Sequence, residues 1–245
     1  MDNAKKPAIA GNTDTGLLKI VAFITMLTDH AGYLFFPEAL WLRAVGRIAF
    51  PIFCYCLVFG FFHTRNVKKY MLRVLIFAVV SQPFYTLAFY PETLPVLFDP
   101  IYYHSPGVVW IIFKDVLRLN VGFELLLGLL AIDGLENKNY FLASIAVALS
   151  LFQTFEYDLY GMLLILVIYF TLRRSKAVFG LALGGFLLLG FISGFGGSWI
   201  EGFAIFALPL LLFDTHSKIR IPRLINYVFY PVHIMLLYFL TLFLK

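Results

Sequence analysis

Long apolar runs, parted by short polar groups, make up almost the whole chain. A helix needs about 20 mainly apolar residues to cross the hydrocarbon core of a bilayer. By that length the pattern predicts roughly nine crossings, at 17–36, 42–62, 70–90, 121–133, 140–155, 157–172, 178–192, 199–213 and 224–244. The fourth is expected to extend upstream of Val121. It and the seventh are short, so one of them is a candidate re-entrant segment. The runs are continuous rather than alternating, which excludes a membrane β-barrel. The predicted fold is therefore all-α, a polytopic integral membrane helix bundle. Residues 1–16 form a polar N-terminal tail and 17–245 a single membrane domain.

The loop charges orient this bundle. Lys5, Lys6 and Lys19 lie at the start, and Arg65, Lys68, Lys69 and Arg73 follow the second run. Arg173, Arg174 and Lys176 follow the sixth, and Lys218, Arg220 and Arg223 the eighth. With nine crossings these groups share one side, which the excess of Lys and Arg marks as cytoplasmic. The N-terminus is then inside. Glu38, Glu92, Asp99, Glu156, Asp158 and Glu201 fall on the other side. The stretch 91–119 carries four prolines and then an amphipathic piece. It is predicted to be an outward loop with an interfacial helix. Long loops of this kind are usually functional or disordered, and its aromatic content argues against disorder. A lid or docking element and a plain insertion both fit it.

Composition agrees with the bilayer assignment. Of 245 residues, 61% are hydrophobic and only 13% charged, against about half and about a quarter in soluble domains. The net charge of +5 does not indicate nucleic acid, because the basic residues are dispersed between apolar runs and form no stripe. Cys54 and Cys56 are two positions apart on a predicted helix, so they face apart and do not pair. No small-residue cleavage pattern follows the first run, which is expected to stay as a membrane helix.

Ionisable side chains within membrane spans are costly and mark candidate functional sites. Asp29 and His30 are adjacent in "FITMLTDHAGYLFFP". An imidazole can take and return a proton near neutral pH, and a nearby carboxylate can set its tautomer. Arg43 and Arg47, in "LWLRAVGRIAFPIF", are four apart and share a helix face. Gly46 beside them permits close approach by another backbone. Pairing to Asp29 across the short turn and binding an anionic ligand are compatible roles for the two arginines. Glu124, Asp158 and Glu201 stand at predicted helix starts, where an acid suits the positive end of the dipole. In "NYVFYPVHIMLLYFL", Pro231 interrupts the helix and Asn226, Tyr230 and His233 line one stripe. His63 lies at the cytoplasmic boundary with Arg65, Lys68 and Lys69 nearby. No zinc-ligand pattern, nucleophile elbow or phosphate-cradling glycine loop is present, so no metal is expected. The glycines of "GGFLLLG" and "GFGGS" are read as packing and hinge positions.

The motifs "LLKIVAFITMLTDHAGYLFFP", "LRAVGRIAFPIFCYCLVFGFFHTRN", "KKYMLRVLIFAVVSQPFYTLAF", "NVGFELLLGLLAI" and "YVFYPVHIMLLYFL" resemble the TraX family in order and spacing. That resemblance implies a multi-pass protein of the bacterial cytoplasmic (inner) membrane. The family's named member is linked to N-acetylation of the amino terminus of conjugative pilin. The family is also similar to wider transmembrane acyltransferases, including the lysosomal heparan-α-glucosaminide acetyltransferase and surface-polysaccharide O-acetylases. Carried over, His30 is the catalytic candidate with Asp29 in support, and Arg43 and Arg47 are the candidates for acyl-CoA binding.

The expected activity is transfer of an acetyl group from cytoplasmic acetyl-CoA to an amine or hydroxyl of an external peptide or glycan. His63, Arg65, Lys68 and Lys69 are candidates for the nucleotide end of CoA. Glu124, Asn226, Tyr230 and His233 are further substrate candidates. Two rival classes remain. One is a proton-coupled transporter relaying through Asp29, His30 and His233. The other is a non-catalytic assembly partner of a surface complex.

Overall fold

The structure is a computed structural model that describes residues 9–91, 118–151, 155–193 and 199–244. The predicted outward loop and interfacial helix fall almost wholly on 92–117, and "GFGGS" on 194–198, outside the described residues. Among the described residues the fold is all-helical. The elements are α1 (Thr15–Phe35), α2 (Leu40–Gly46), α3 (Ala49–His63), α4 (Val67–Phe89), α5 (Val121–Glu136), α6 (Tyr140–Leu149), α7 (Asp158–Leu172) and α8 (Lys176–Ser193). A 3-10 helix (Trp199–Phe206), α9 (Ala207–Leu212) and α10 (Arg223–Leu244) complete it. Four stretches are long and apolar enough to cross a membrane: Thr15–Phe35, Leu40–His63, Val67–Phe89 and Leu224–Leu244. Large apolar side chains such as Leu72, Ile76, Val79, Leu236 and Leu240 stand exposed on α4 and α10. Such faces fit lipid.

The other segments differ from the expected spans for local reasons. The second run is two helices, and Pro51 explains the break. Its ring cannot supply an amide to the carbonyl four residues back and clashes with it. That carbonyl belongs to Arg47, where α2 ends. Pro51 then sits in the first turn of α3, where an amide would be unpaired anyway. The fourth run does not extend upstream. Asn120 caps α5 by accepting from the Gly122 amide at 2.9 Å, and the helix begins at Val121. Among the described residues the fifth run is helical over Tyr140–Leu149. At 1.5 Å per residue that is about 15 Å, half the hydrocarbon thickness.

The chain forms two compact units. The first comprises Met1–Tyr70 and Leu163–Arg223, and the second Met71–Met162 and Leu224–Lys245. In the first, α1 packs on α2 and α3, and α8 packs on the 3-10 helix. Its core holds Leu18, Ile52, Tyr55, Val58, Phe179 and Leu183. The rings of Tyr55 and Phe179 are 6.0 Å apart.

The polar tail is anchored into this first unit over its last residues. The Ala10 amide donates to the Leu172 carbonyl at 2.9 Å, and the Asn12 amide to Leu211 at 2.7 Å. The Asn12 side chain donates to Leu210 at 2.8 Å, and Tyr55 Oη donates to the Asn12 carbonyl at 2.7 Å. These carbonyls end α7 and α9, where a helix leaves acceptors unpaired. The tail therefore supplies the donors those helix ends lack.

Asp14 and Asp214 hold the strap's outer end. Burial opposes ionisation of Asp14. Hydrogen bonds from Ser217, Thr215 and Leu17 outweigh it and hold its pKa down at about 2. A hydrogen bond from Thr13 chiefly holds Asp214 below the usual carboxylate range. A depressed folded pKa stabilises above the unfolded value, about 3.9 for Asp, and that contribution is lost as pH falls through the folded value. The protection of the Asn12 amide against hydrogen exchange, relative to the intrinsic rate at each pH, is expected to fall between about pH 4 and pH 2. Asp14→Asn is expected to exchange faster already at neutral pH and to show less of this acid step.

Candidate active site

The first unit brings Asp29, Arg43 and Arg47 together around the turn between α1 and α2, with His30 next to Asp29 in the chain. Asp29 and His30 are each 6% exposed, within a helix that is otherwise almost wholly apolar at this level. Asp29 accepts from both arginines. Arg43 Nε donates to Oδ1 at 2.7 Å, and Arg47 Nη2 donates to Oδ2. The pairing role expected of the arginines is thus the arrangement seen. Arg47 spreads its fork further. Nη1 donates to Glu201 Oε1 at 2.7 Å, and Nε donates to the Arg43 carbonyl at 3.4 Å. Two arginines and two carboxylates make a charge-balanced group, as buried ions require.

The sequence around each residue explains the geometry. Pro51 ends α2 at Arg47, which places its guanidinium at a helix junction rather than on a continuous helix face. Asp29 and Tyr33, one turn apart on α1, share a face. Arg43 reaches over that face, with Cζ 4.9 Å from the Tyr33 ring centroid. Its side chain keeps 28% exposure, whereas that of Arg47 keeps 7%. Arg43 is the accessible arginine and Arg47 the enclosed one.

Gly46 is the close-approach position, and what approaches is the Asp29 side chain. A Cβ added there would lie 2.2 Å from Asp29 Cβ and 2.6 Å from Oδ1. Gly46→Ala therefore displaces the carboxylate both arginines hold. It is expected to lower stability by about 1 to 3 kcal/mol, the usual range for overpacking, read as a lower midpoint of thermal unfolding in detergent.

Glu201 stands at a predicted helix start. It does begin the 3-10 helix, yet it is buried and bound to Arg47. Charge balance was the available signal. Two arginines in an apolar run need two acids, and Asp29 is one.

The remaining predicted residues are placed as follows. His63 ends α3, its Nδ1 hydrogen-bonded with the Phe59 carbonyl at 2.7 Å and its ring stacked on Phe59 at 4.1 Å. Arg65, Lys68 and Lys69 are exposed just beyond it. Arg173 joins this end of the unit, 4.4 Å above the Phe62 ring. Glu124, Asn226, Tyr230 and His233 belong to the second unit. Glu124 lies in the first turn of α5. Tyr230 and His233 are buried on α10, with rings 5.5 Å apart, and Asn226 is half-buried one turn earlier. Among the described residues no group of His, Cys, Asp or Glu is arranged to hold a metal.

Comparison with known proteins places these residues in a lineage. The chain is 48% identical over 73 residues to the probable fimbrial assembly protein FimC, serogroup H1, of Dichelobacter nodosus, a match covering 28% of this chain and 30% of that one. It is 37% identical over 73 residues to the uncharacterized protein RP591 of Rickettsia prowazekii (strain Madrid E), over 30% of this chain and 27% of that one. Each match thus spans under a third of the relative's length. No solved structure matches the chain significantly. The TraX protein family matches residues 14–241, which take in the capped start of α1, the arginine–carboxylate group and nearly all of α10. The chain belongs to the TraX family.

Proposed function

We propose that this protein is a membrane-embedded acetyltransferase. It moves an acetyl group from cytoplasmic acetyl-CoA to an amine, or a hydroxyl, of an acceptor presented outside, such as a pilin amino terminus or a surface glycan. The observation that carries the reading is the buried Asp29–Arg43–Arg47–Glu201 group beside His30. A structure that only spans lipid does not need four paired ions. The FimC relative's name supports a surface-fibre context. We place the protein in the bacterial inner membrane with its N-terminus cytoplasmic and about nine crossings, the short ones partial.

His30 acts as general base. It takes a proton from the acceptor as the acceptor's nitrogen or oxygen bonds the thioester carbonyl carbon. The carbon–sulfur bond then breaks, and the CoA sulfur leaves and takes the proton. Arg43, with donors still accessible, steadies the oxyanion that develops on the carbonyl. Asp29 fixes Arg43, and Glu201 and Arg47 fix Asp29. The rival proton relay draws less support, since arginine donors occupy both Asp29 oxygens.

The basic end of the same unit suits the phosphates of CoA. The Ala10 amide, before α1, bonds to the Leu172 carbonyl, and the adjoining Arg173 lies over the ring of Phe62 in the last turn of α3, so the start of α1 and the end of α3 share one end. From Thr15 to His30 the helix rises about 20 Å. An extended thioester would hold its phosphates at His63, Arg65, Lys68 and Lys69 and place its acyl carbon deeper. Replacing Arg65, Lys68 and Lys69 together by Ala is expected to raise KM for acetyl-CoA about tenfold with kcat little changed, the signature of lost uniform binding. Saturation kinetics with unchanged KM would remove this end from the binding site. A wild-type protein that neither binds CoA in a thermal-shift titration nor releases its thiol would remove the reading itself.

A further inference from the structure

The second unit contains a buried polar centre of its own. Glu124 is fully buried. Its Oε2 accepts from the Tyr157 amide at 3.0 Å, and its Oε1 is buried with no hydrogen-bond partner among the described residues. A carboxylate oxygen accepts and, when ionised, has nothing to donate, so this atom calls for a donor. Asn226, on α10, likewise has a buried Oδ1 without a hydrogen-bond partner among the described residues.

The surroundings state which donor. Glu156 and Asp158 both interact electrostatically with Glu124. Arg118 opposes Asp158, so among the described residues that act on Glu124 and Asp158 acids exceed bases. Glu156 also interacts with the buried Tyr85 and Tyr230, and Tyr90 with both of those rings. Phe77 completes the aromatic lining. Its ring is 5.3 Å from Tyr230 and lies against Gly122, where an added Cβ would come within 2.7 Å of it. Unmet acceptors, surplus negative charge and aromatic faces together match an organic ammonium ion, which brings several N–H donors and a cation suited to ring faces. A metal ion would need a convergent ligand set, and none exists among the described residues.

We infer that the second unit binds a protonated primary amine, with Glu124 Oε1 as its ion-pair partner and Tyr85, Tyr230 and Phe77 as its aromatic wall. The site stands independently of acetyl transfer. The full-length protein in detergent is titrated near neutral pH with n-butylamine, with n-butanol, and with potassium chloride at matched ionic strength, followed by thermal shift and calorimetry. Butylammonium is expected to bind saturably, and butanol and potassium are not. Glu124→Gln keeps an acceptor for the Tyr157 amide and is expected to weaken binding about tenfold or more, as loss of a buried charge partner does. Tyr230→Leu, which leaves every carboxylate in place, is expected to weaken it several-fold. His30→Ala is expected to bind as wild type, so failure of this site and failure of the transferase reading are read separately. Equal stabilisation by butanol or potassium, or undiminished affinity in both Glu124→Gln and Tyr230→Leu, overturns the inference.

Discussion

Replacing His30 by alanine is expected to cut acetyl transfer by a hundredfold or more while leaving the protein folded. A positioned general base contributes about a hundredfold to ten-thousandfold to a rate, and among the described residues His30 is the imidazole next to the arginine–carboxylate group in the chain. The ions of that group pair with one another through Asp29, Arg43, Arg47 and Glu201, so their balance does not require the histidine. His30→Ala is therefore expected still to show a cooperative thermal unfolding transition in detergent. His30→Asn, which keeps a polar side chain but no base, is expected to be equally inactive. Activity near wild type in either variant would transfer the chemistry to another residue.

Replacing Arg47 by alanine is expected to damage the fold itself. The change removes the donors to Asp29 Oδ2 and Glu201 Oε1 at once, in a place where Arg47 is 6% exposed. Breaking a buried pair from one side strands the other charge and costs about 3 to 5 kcal/mol. Here two carboxylates lose a partner and Arg43 alone remains. The midpoint of thermal unfolding in detergent should fall sharply, with activity lost alongside. Neutralising the stranded acids gives the control. Arg47→Met combined with Glu201→Gln is expected to recover much of the loss, because an uncharged apolar replacement of a buried pair is often close to neutral. Arg43→Ala, at a more exposed position, is expected to affect activity more than stability. A wild-type midpoint for Arg47→Ala would mean that the group does not brace the site.

Much of this was visible in the amino-acid order. Each of the nine apolar runs contains helix, because apolar length is a direct physical requirement of a span. The Asp29, His30, Arg43 and Arg47 cluster was visible for the converse reason, since charge in such runs is costly. Other features depend on partners far along the chain. Glu201 meets Arg47 across 154 positions, and nothing near Glu201 distinguishes it from a helix-start acid. Asn12 looked like one more polar tail residue, yet it bonds to carbonyls 198 and 199 positions away. The break at Arg47 was readable from Pro51, but run length alone concealed it. The stop of α6 at Leu149 has no proline or glycine to mark it, and its apolar run continues past that point.

The account turns on one reaction, acetyl transfer from acetyl-CoA through His30. Purified wild-type protein and His30→Ala, reconstituted in lipid vesicles, are incubated with acetyl-CoA and a short peptide bearing a free amino terminus. Thiol release is followed continuously, and the peptide is weighed by mass spectrometry. The account predicts acceptor-dependent thiol release and a peptide heavier by one acetyl group with the wild type, and neither above background with the variant. Equal release by both proteins, or no acetylated acceptor from a folded wild type that binds acetyl-CoA, would contradict it.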